Sequence, residues 1–485
     1  AVVAIVGIVG LLRLSPDAGT DKLVDSGFDY VGLYPEVQAT FPPLLYVLFV
    51  TLVALLQLPF VAHQFLYLVP MREGISGLVA VDVVKEGMEL PIYRALELES
   101  GAFSELVVSD TAKNLMGIFF MKNDVEARAK KIAKAARPVE TIGVLGAGFM
   151  GSGVAQVLVH KGYRVVMKDQ DRDAVARGMG AVSRLFDGLV KRRRYSEVDK
   201  RQAMGRLLGT VDYRNLQRAD FVVEAVFEDV GVKHRVIQET EAVAPEHLIF
   251  ASNTSTIPIA ELAQGSKRPE NVVGMHFFSP VHKMPLIEVI RHPGTSEVAL
   301  ATTVEVGRRM GKTVIVVDDG PGFFTSRVLG PFLNEAAWIL TEGAGIRQID
   351  RALTRWDFPV GPITLLDEVG LDIAEHAGSV VRSHLGDRLA PPPVFERMID
   401  DRRTGRKGGR GFYLYQNGKK GEVDESVYDL IGWRPASIPD QEIVERCFMQ
   451  MANETARCIE DGVIENPVDV DVGVIFGFGF PPFRG

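Results

Sequence analysis

Between residues 141 and 169 the chain runs strand, glycine turn, helix, strand, acid, and few folds accommodate that order. Residues 141–145 form a short apolar run. Gly146-Ala147-Gly148-Phe149-Met150-Gly151 follows, then a helical stretch through Val159, a second strand-like run at 163–167, and Lys168-Asp169. A glycine fingerprint alone is a weak signal, but set between two strands and a helix it predicts a dinucleotide-binding α/β unit. Gly146 permits the tight turn, Gly148 lets a pyrophosphate approach the backbone, and Gly151 lets the helix pack close to the strand. The free amides of the helix N-terminus suit phosphates. Asp169 comes 18 residues after Gly151. A carboxylate there accepts hydrogen bonds from ribose hydroxyls and repels a 2′-phosphate, so NAD is expected over NADP.

Further strands are expected at 221–226, 248–251, 272–275 and 313–317, separated at first by helical stretches, as in a doubly wound sheet. A turn-rich segment at 318–322 closes that domain. The remainder is mainly helical and repeats itself. Asn334-Glu335 returns as Asn453-Glu454, Glu342-Gly343 as Asp461-Gly462 and Ile349-Asp350 as Val468-Asp469, all at an offset of 119 residues. Phe358-Pro359 returns as Phe480-Pro481 after three extra residues. The fold class expected is a Rossmann-type doubly wound α/β domain followed by a duplicated all-α C-terminal domain. Its parts would be an unassigned apolar region at 1–77, a helical linker at 78–137, the NAD-binding domain at 138–319, a first helical unit at 320–418 and a shortened second at 419–485.

Composition narrows the field. Lys and Arg number 54 against 62 Asp and Glu, a formal charge of −8, so no basic excess exists to hold nucleic acid. The two cysteines, Cys447 and Cys458, rule out a disulfide framework or a cysteine-rich metal site, and no metal is expected. The N-terminus sits badly with the rest. No charged residue occurs from 37 to 71, and 44–69 is almost continuously apolar, long enough to span a bilayer. This stretch is either a membrane segment or sequence foreign to the fold behind it; His63 within it reads as incidental. Residues 85–136 read as helices, and the basic stretch 130–137 before Pro138 as a linker.

Polar residues gather at the ends of expected strands, where doubly wound sheets bind ligands. Ser252-Asn253-Thr254-Ser255 follows one strand, His276 ends the next, and Glu288 lies 12 residues on. Oxidising an alcohol with NAD needs a base for the hydroxyl proton while hydride leaves the carbon. A histidine suits that task, and a carboxylate can orient it and stabilise its imidazolium. His276 and Glu288 meet the need if the chain folds back between their strands.

Seven ordered motifs then resemble one family. They are Gly146–Gly151, ValGluAlaValPheGluAsp (223–229), PheAlaSerAsnThrSer (250–255), GlyMetHisPhePheSerProVal (274–281), AspGlyProGlyPhePheThrSerArg (319–327), PheProValGlyProIleThrLeuLeuAspGluValGly (358–370) and GlyPheGlyPheProProPheArgGly (477–485). From about residue 78 onward the chain is similar to the 3-hydroxyacyl-CoA dehydrogenases built into multifunctional fatty-acid oxidation α subunits, most of all the mitochondrial ones. The resemblance implies His276 as catalytic base with Glu288 as partner, and Ser255 contacting both nicotinamide and acyl-CoA. Gly146, Gly148, Met150, Gly151, Asp169, Glu228, Lys233 and Ser279 would hold NAD, and Ser326 would face substrate; Glu224 is read as structural. Ser279 and Ser326 stand where single-function relatives carry asparagine, losing the amide's reach and second donor. The basic run 191–194 is read as a solvated helix face, although in this family such residues lie toward the CoA phosphates. The glycine-rich 405–411 is read as a turn.

The resemblance further implies (S)-3-hydroxyacyl-CoA as substrate, a thiolase β subunit as partner, and a mitochondrial location, or a cytoplasmic one in a bacterium. The hydratase module that precedes the linker in such α subunits is not recognisable, so hydratase activity is not expected. The chain looks like the dehydrogenase part of a longer protein, open at both ends. The alternative reading is a non-catalytic, membrane-associated subunit that binds acyl-CoA and NAD; a third is a related NAD enzyme acting on other hydroxy acids.

Overall fold

The computed structural model describes residues 75–484, so the apolar run 44–69 and His63 lie outside the described residues. Among those described, no helix is long and apolar enough to cross a membrane. They fall into two bodies, Met116–Pro481 and a smaller one of residues 75–115 with 482–484. The smaller body holds helices α1 (Ile75–Gly87) and α2 (Ile92–Val107) and the start of α3 (Asp110–Ile132). Ser109 caps α3 by accepting from the Ala112 amide at 3.2 Å, and Asn114 donates to the Phe483 carbonyl at 2.9 Å. Within the helical linker expected at 78–137, α3 runs to Ile132, a 3-10 turn continues over Ala133–Ala135, and 136–137 lead on without helix. Tertiary contacts fix it, for Arg128 forks onto Asp469 and the Arg137 amide donates to Thr302 Oγ1 at 3.0 Å.

The larger body contains one eight-stranded sheet in the order β3-β2-β1-β4-β5-β6-β7-β8. Its strands are β1 (Thr141–Leu145), β2 (Arg164–Lys168), β3 (Leu207–Thr210), β4 (Phe221–Glu224), β5 (Ile249–Ser252), β6 (Val272–Phe277), β7 (Leu286–Arg291) and β8 (Thr313–Asp318). The helices between them are α4 (Phe149–His160), α5 (Arg172–Lys191), α6 (Glu197–Met204), α7 (Val230–Glu241), α8 (Ile259–Ala263) and α9 (Glu297–Arg309). Every pairing is parallel except β6 with β7. Winding runs outward from β1 in both directions, and right-handed crossovers then place helices on both faces. Both faces are covered, so the strands are apolar throughout: Val222, Val223, Ala251, Val273 and Met275 are completely buried. The reversal of order between β1 and β4 opens a crevice at the carboxyl ends of the strands. One strand was absent from the expectations, β3, a short edge strand with one buried residue, while the strand that carries Glu288 is β7.

Beyond β8 the chain forms α10 (Thr325–Thr341), α11 (Ile346–Arg355), α12 (Pro362–Val369), α13 (Leu371–Leu385) and α14 (Val394–Asp400). A hairpin of β9 (Tyr413–Gln416) and β10 (Lys419–Val423) follows, then α15 (Ser426–Ile431), α16 (Asp440–Glu460) and α17 (Pro467–Phe478). Equivalent long helices of the repeat, α10 and α16, pack on each other and exchange charges. Arg327 of α10 donates to Glu454 at 2.6 Å and also binds Asp461. Arg446 of α16 donates to Glu335 at 2.8 Å and to Glu342 at 2.9 Å. Arg446 is Arg327 displaced by 119 positions, and Glu454 and Asp461 are Glu335 and Glu342 displaced by the same number. The contacts are therefore reciprocal, as about a two-fold axis inside one chain. Phe358 and Phe480, the repeated Phe-Pro positions, meet edge to face at 5.8 Å.

The two arginines differ in burial: side-chain exposure is 2% for Arg327 against 29% for Arg446. Removing one member of a buried pair strands the other, at about 3–5 kcal/mol, whereas a solvated pair contributes about 1 kcal/mol or less. Arg327→Ala is therefore expected to destabilise the chain several-fold more than Arg446→Ala in urea unfolding. Equal losses would contradict this ranking.

Candidate functional site

The crevice is lined by residues at the carboxyl ends of β1, β2, β4, β5 and β6. At the end of β1, Gly146 has φ +98°, and a Cβ there would lie 2.4 Å from the Ala225 carbonyl oxygen. A Cβ on Gly151 would fall 1.9 Å from the Gly146 oxygen, so α4 approaches this turn only because both positions lack side chains. Gly148 differs: a Cβ would meet nothing within 4 Å, so its face is open to a ligand. Gly148 is also the N-cap of α4 and supplies no side-chain acceptor, leaving the first amides of the helix, Met150 among them, for an outside anion.

Asp169 follows β2. Its Oδ2 accepts from the Ala147 amide at 2.7 Å and its Oδ1 from the Gln170 amide at 2.6 Å, which fixes the carboxylate beside the glycine turn. An open glycine face, uncapped helix amides and an acid at the second strand end form a donor and acceptor set that fits the pyrophosphate and ribose of NAD.

The next strand ends carry a buried charge cluster. Lys233, on α7, is 1% exposed and donates to Glu224 at 2.8 and 3.0 Å, with Glu228 at 3.1 Å. Glu224 is fully saturated, accepting also from Ser252 Oγ at 2.6 Å and the Val226 amide at 2.7 Å. Glu228 is partly open and accepts from Thr254 Oγ1 at 2.5 Å and the Ser255 amide at 3.0 Å. Burial pushes its carboxyl up, but the Lys233 ammonium and these donors outweigh that and hold it below the ordinary value. The Lys233 ammonium is thus spent on carboxylates. It sits behind Glu228 and sets the position of the Ser255 loop.

His276 and Glu288 are register partners across the antiparallel pair β6–β7. His276 Nδ1 lies 2.9 Å from Glu288 Oε2, and the two residues are 7% and 0% exposed. Glu288 Oε2 also accepts from Thr325 Oγ1 at 2.6 Å, and Oε1 accepts from the amides of Phe324 and Thr325 at 2.9 and 3.1 Å. Four hydrogen bonds fill the acceptor capacity of a carboxylate. The shared contact with His276 is therefore an Nδ1–H donation, and Nε2 carries the free lone pair. Phe278 and Phe323 flank the imidazole, with ring centres 4.7 and 6.2 Å away.

Two residues essential to this geometry were not assigned a role from sequence. Asn253 accepts from the Phe277 amide at 2.9 Å and donates its own amide to the Glu224 carbonyl at 2.7 Å, locking the end of β6 beside His276. Thr325 holds Glu288 from the start of α10. Ser255 is half-buried on its loop, Ser279 is exposed just after β6, and Ser326 is half-buried in the first turn of α10. Among the described residues the hydroxyls of Ser279 and Ser326 have no hydrogen-bond partner, and both are free to meet a ligand. Of the basic run, Lys191 ends α5 and Arg192–Arg194 are exposed. In the 405–411 turn, Lys407 pairs with Asp372 and Arg410 with Asp424, both at 2.5 Å, so those charges are answered internally. Cys447 and Cys458 are buried, and burial pushes the Cys458 thiol up to about 12. No metal-binding cluster occurs among the described residues.

Two family descriptions match consecutive regions: "3-hydroxyacyl-CoA dehydrogenase, NAD binding domain" over residues 141–320 and "3-hydroxyacyl-CoA dehydrogenase, C-terminal domain" over residues 322–415. FadB2 of M. tuberculosis is 34% identical and superposes over its whole length on 58% of this chain, with a TM-score of 0.56. The chain belongs to the 3-hydroxyacyl-CoA dehydrogenase family. The (S)-3-hydroxybutyryl-CoA dehydrogenase of Ralstonia eutropha is 36% identical, also covered completely on 58% of this chain, with a TM-score of 0.55. The dehydrogenase part of multifunctional enzyme 1 from C. elegans is 27% identical over 71% of this chain and 80% of its own, with a TM-score of 0.51. Among curated relatives, the fatty acid oxidation complex subunit alpha of Shewanella sp. (strain ANA-3) is 44% identical over 412 residues. That match takes in 84% of this dehydrogenase-family chain but spans only 58% of the relative.

Two outcomes are expected from the cofactor side of the site. Asp169→Ala should weaken NADH binding about 10- to 100-fold, the loss of hydrogen bonds to a charged acceptor, and narrow the preference over NADPH; fluorescence titration measures both. The lowered Glu228 pKa has a consequence for stability. A carboxylate whose folded pKa is depressed adds stability that is fully present above its ordinary pKa, about 4.5, and lost as pH falls through the folded value. The gap in melting temperature between wild type and Glu228→Gln should therefore close on acidification below that pH, and a gap constant down to pH 3 would refute the assignment.

Proposed function

We propose that the chain oxidises (S)-3-hydroxyacyl-CoA to 3-oxoacyl-CoA with NAD in fatty-acid β-oxidation, with His276 as general base and Glu288 as its partner. The observation that carries this reading is the saturated Glu288, which leaves His276 Nε2 as the one proton acceptor of the pair. Nε2 takes the 3-hydroxyl proton, and the imidazolium that results is stabilised through Nδ1–H by Glu288. NAD, when bound, supplies the acceptor for the hydride leaving C3. Gly146, Gly148, Gly151 and the α4 amides, Met150 included, would seat its pyrophosphate, and Asp169 would take the ribose hydroxyls. Glu228, backed by Lys233, places the Ser255 loop between nicotinamide and acyl group. Ser279 and Ser326 offer hydroxyls on the nicotinamide and substrate sides, and the exposed 192–194 arginines offer charge to the CoA phosphates. Phe278 and Phe323 exclude water from the imidazole and strengthen its electrostatics.

The names of the Shewanella relatives support placing this chemistry in a fatty-acid oxidation complex, with a thiolase β subunit as the partner that consumes the 3-oxoacyl product. A mitochondrial setting, with or without attachment through residues 44–69, is part of the same proposal, with a bacterial cytoplasm as its counterpart. Dehydrogenase activity alone is assigned to this chain.

The test is NADH formation from 3-hydroxyacyl-CoA. His276→Ala should lower kcat about 10²- to 10⁴-fold, the usual contribution of a positioned acid–base group, with NADH affinity retained. Glu288→Gln should also act on kcat, because one acceptor oxygen becomes a donor, facing either the Nδ1–H and the Thr325 hydroxyl at Oε2 or the Phe324 and Thr325 amides at Oε1. A wild-type chain that binds NADH and acyl-CoA yet forms no product would favour a binding subunit instead.

A further inference from the structure

On the opposite edge of the sheet, where the strands begin, lies a cleft that the reaction does not use. It is an open depression of about 400 Å³, lined by the end of α3 with its 3-10 turn, by residues 136–138 leading into β1, and by the end of α9. The lining is strongly basic: Lys130, Lys134, Arg137, Arg308 and Arg309 face a single carboxylate, Glu305. That carboxylate is already bound by Arg308 at 2.5 Å. Among the described residues Lys130, Lys134, Arg137 and Arg309 make no ion pair. Four exposed cations without an ion pair thus share one concavity in a chain whose net charge is −8, and an anion seated there would be attracted by all four.

Other features separate this cleft from an ordinary solvated basic face. Lys130 and Lys134 stand four residues apart and so share one face of the helical stretch. The Arg137 amide is pinned to Thr302 on α9 at 3.0 Å, which fixes the wall before β1 against the wall formed by α9. The Arg309 guanidinium lies over the Tyr163 ring, 4.6 Å from its centre, instead of ranging through solvent. The Tyr163 hydroxyl is buried beside it without a hydrogen-bond partner. A positioned arginine, two lysines in register and a pinned backbone are the elements from which phosphate sites are built.

We propose that this cleft is an anion site that binds a phosphate or diphosphate group, distinct from the dinucleotide crevice at the other edge of the sheet. The group comes from a soluble phosphorylated metabolite or from the headgroup of an anionic phospholipid.

The experiment is thermal unfolding of the full chain, saturated with NADH so that the glycine turn is occupied, during titration with inorganic pyrophosphate at constant ionic strength. Wild type should show a saturable rise in melting temperature that Lys130→Ala/Lys134→Ala loses. Both lysines are exposed, so the double variant should start from a near-native melting temperature and form NADH at the wild-type rate. Flotation with phosphatidylglycerol against phosphatidylcholine vesicles distinguishes the sources. Retention on anionic vesicles that the double variant loses, without a pyrophosphate shift, assigns the lipid headgroup; a pyrophosphate shift without such retention assigns a soluble ligand. The site is overturned if the double variant responds like wild type in both assays, or if wild type responds in neither.

Discussion

The buried carboxylate of Glu288 is the contact on which the rest of the site depends. It enters from β7, orients His276 on β6, and accepts both the first amides and the first side-chain hydroxyl of the α10 region. A single side chain therefore joins the sheet to the helical half and fixes the His276 imidazole at that junction. Burying such an anion without partners would be prohibitive, and four directed donors make it tolerable. The arrangement is also self-checking. Glu288 is satisfied only when the sheet and α10 are docked, so the orientation of His276 and that docking form together.

The second buried cluster does comparable work on the cofactor side. Lys233 answers two carboxylates with one ammonium, and the excess negative charge is shared among Ser252, Thr254 and two backbone amides. Glu224 ends at the inner edge and Glu228 at the crevice, which transmits the rigidity of the sheet to the loop that carries Ser255. Asn253 extends the same network to the residue after His276. The loop that carries Ser255 and the strand that carries His276 are therefore tied by one network of side chains.

What the sequence revealed and what it concealed divide along a physical line. The glycine turn was legible because its constraints are local: Gly146 and Gly151 are needed by backbone atoms a few residues away or by an adjacent strand end. Asp169 was legible because its distance along the chain is set by one helix and two strands. The pairing of His276 with Glu288 could be posed only as a condition, since it required β6 and β7 to run antiparallel in a sheet otherwise parallel. Thr325 escaped because its task is defined 37 residues from Glu288, by a docking event no local pattern records. The basic stretch at 130–137 was legible as a helical linker, but its anchoring through the Arg137 amide to Thr302, far along the chain, was not. The 119-residue repeat was visible as recurrence, but recurrence shows equivalence and not contact.

That last distinction bears on how the helical half could have arisen. Arg327 finds its counter-ions on the second copy and Arg446 finds its own on the first, so neither copy is electrostatically complete by itself. A lone first copy would leave Arg327, Glu335 and Glu342 without the ion-pair partners they find on the second. Two copies fused head to tail carry that complement within one covalent chain, at a local concentration no dilution can lower. Once fused, the copies are free to differ, and Arg327 and Arg446 are buried unequally: both copies reach the sheet, α10 through Glu288 and α17 against β7 and β8.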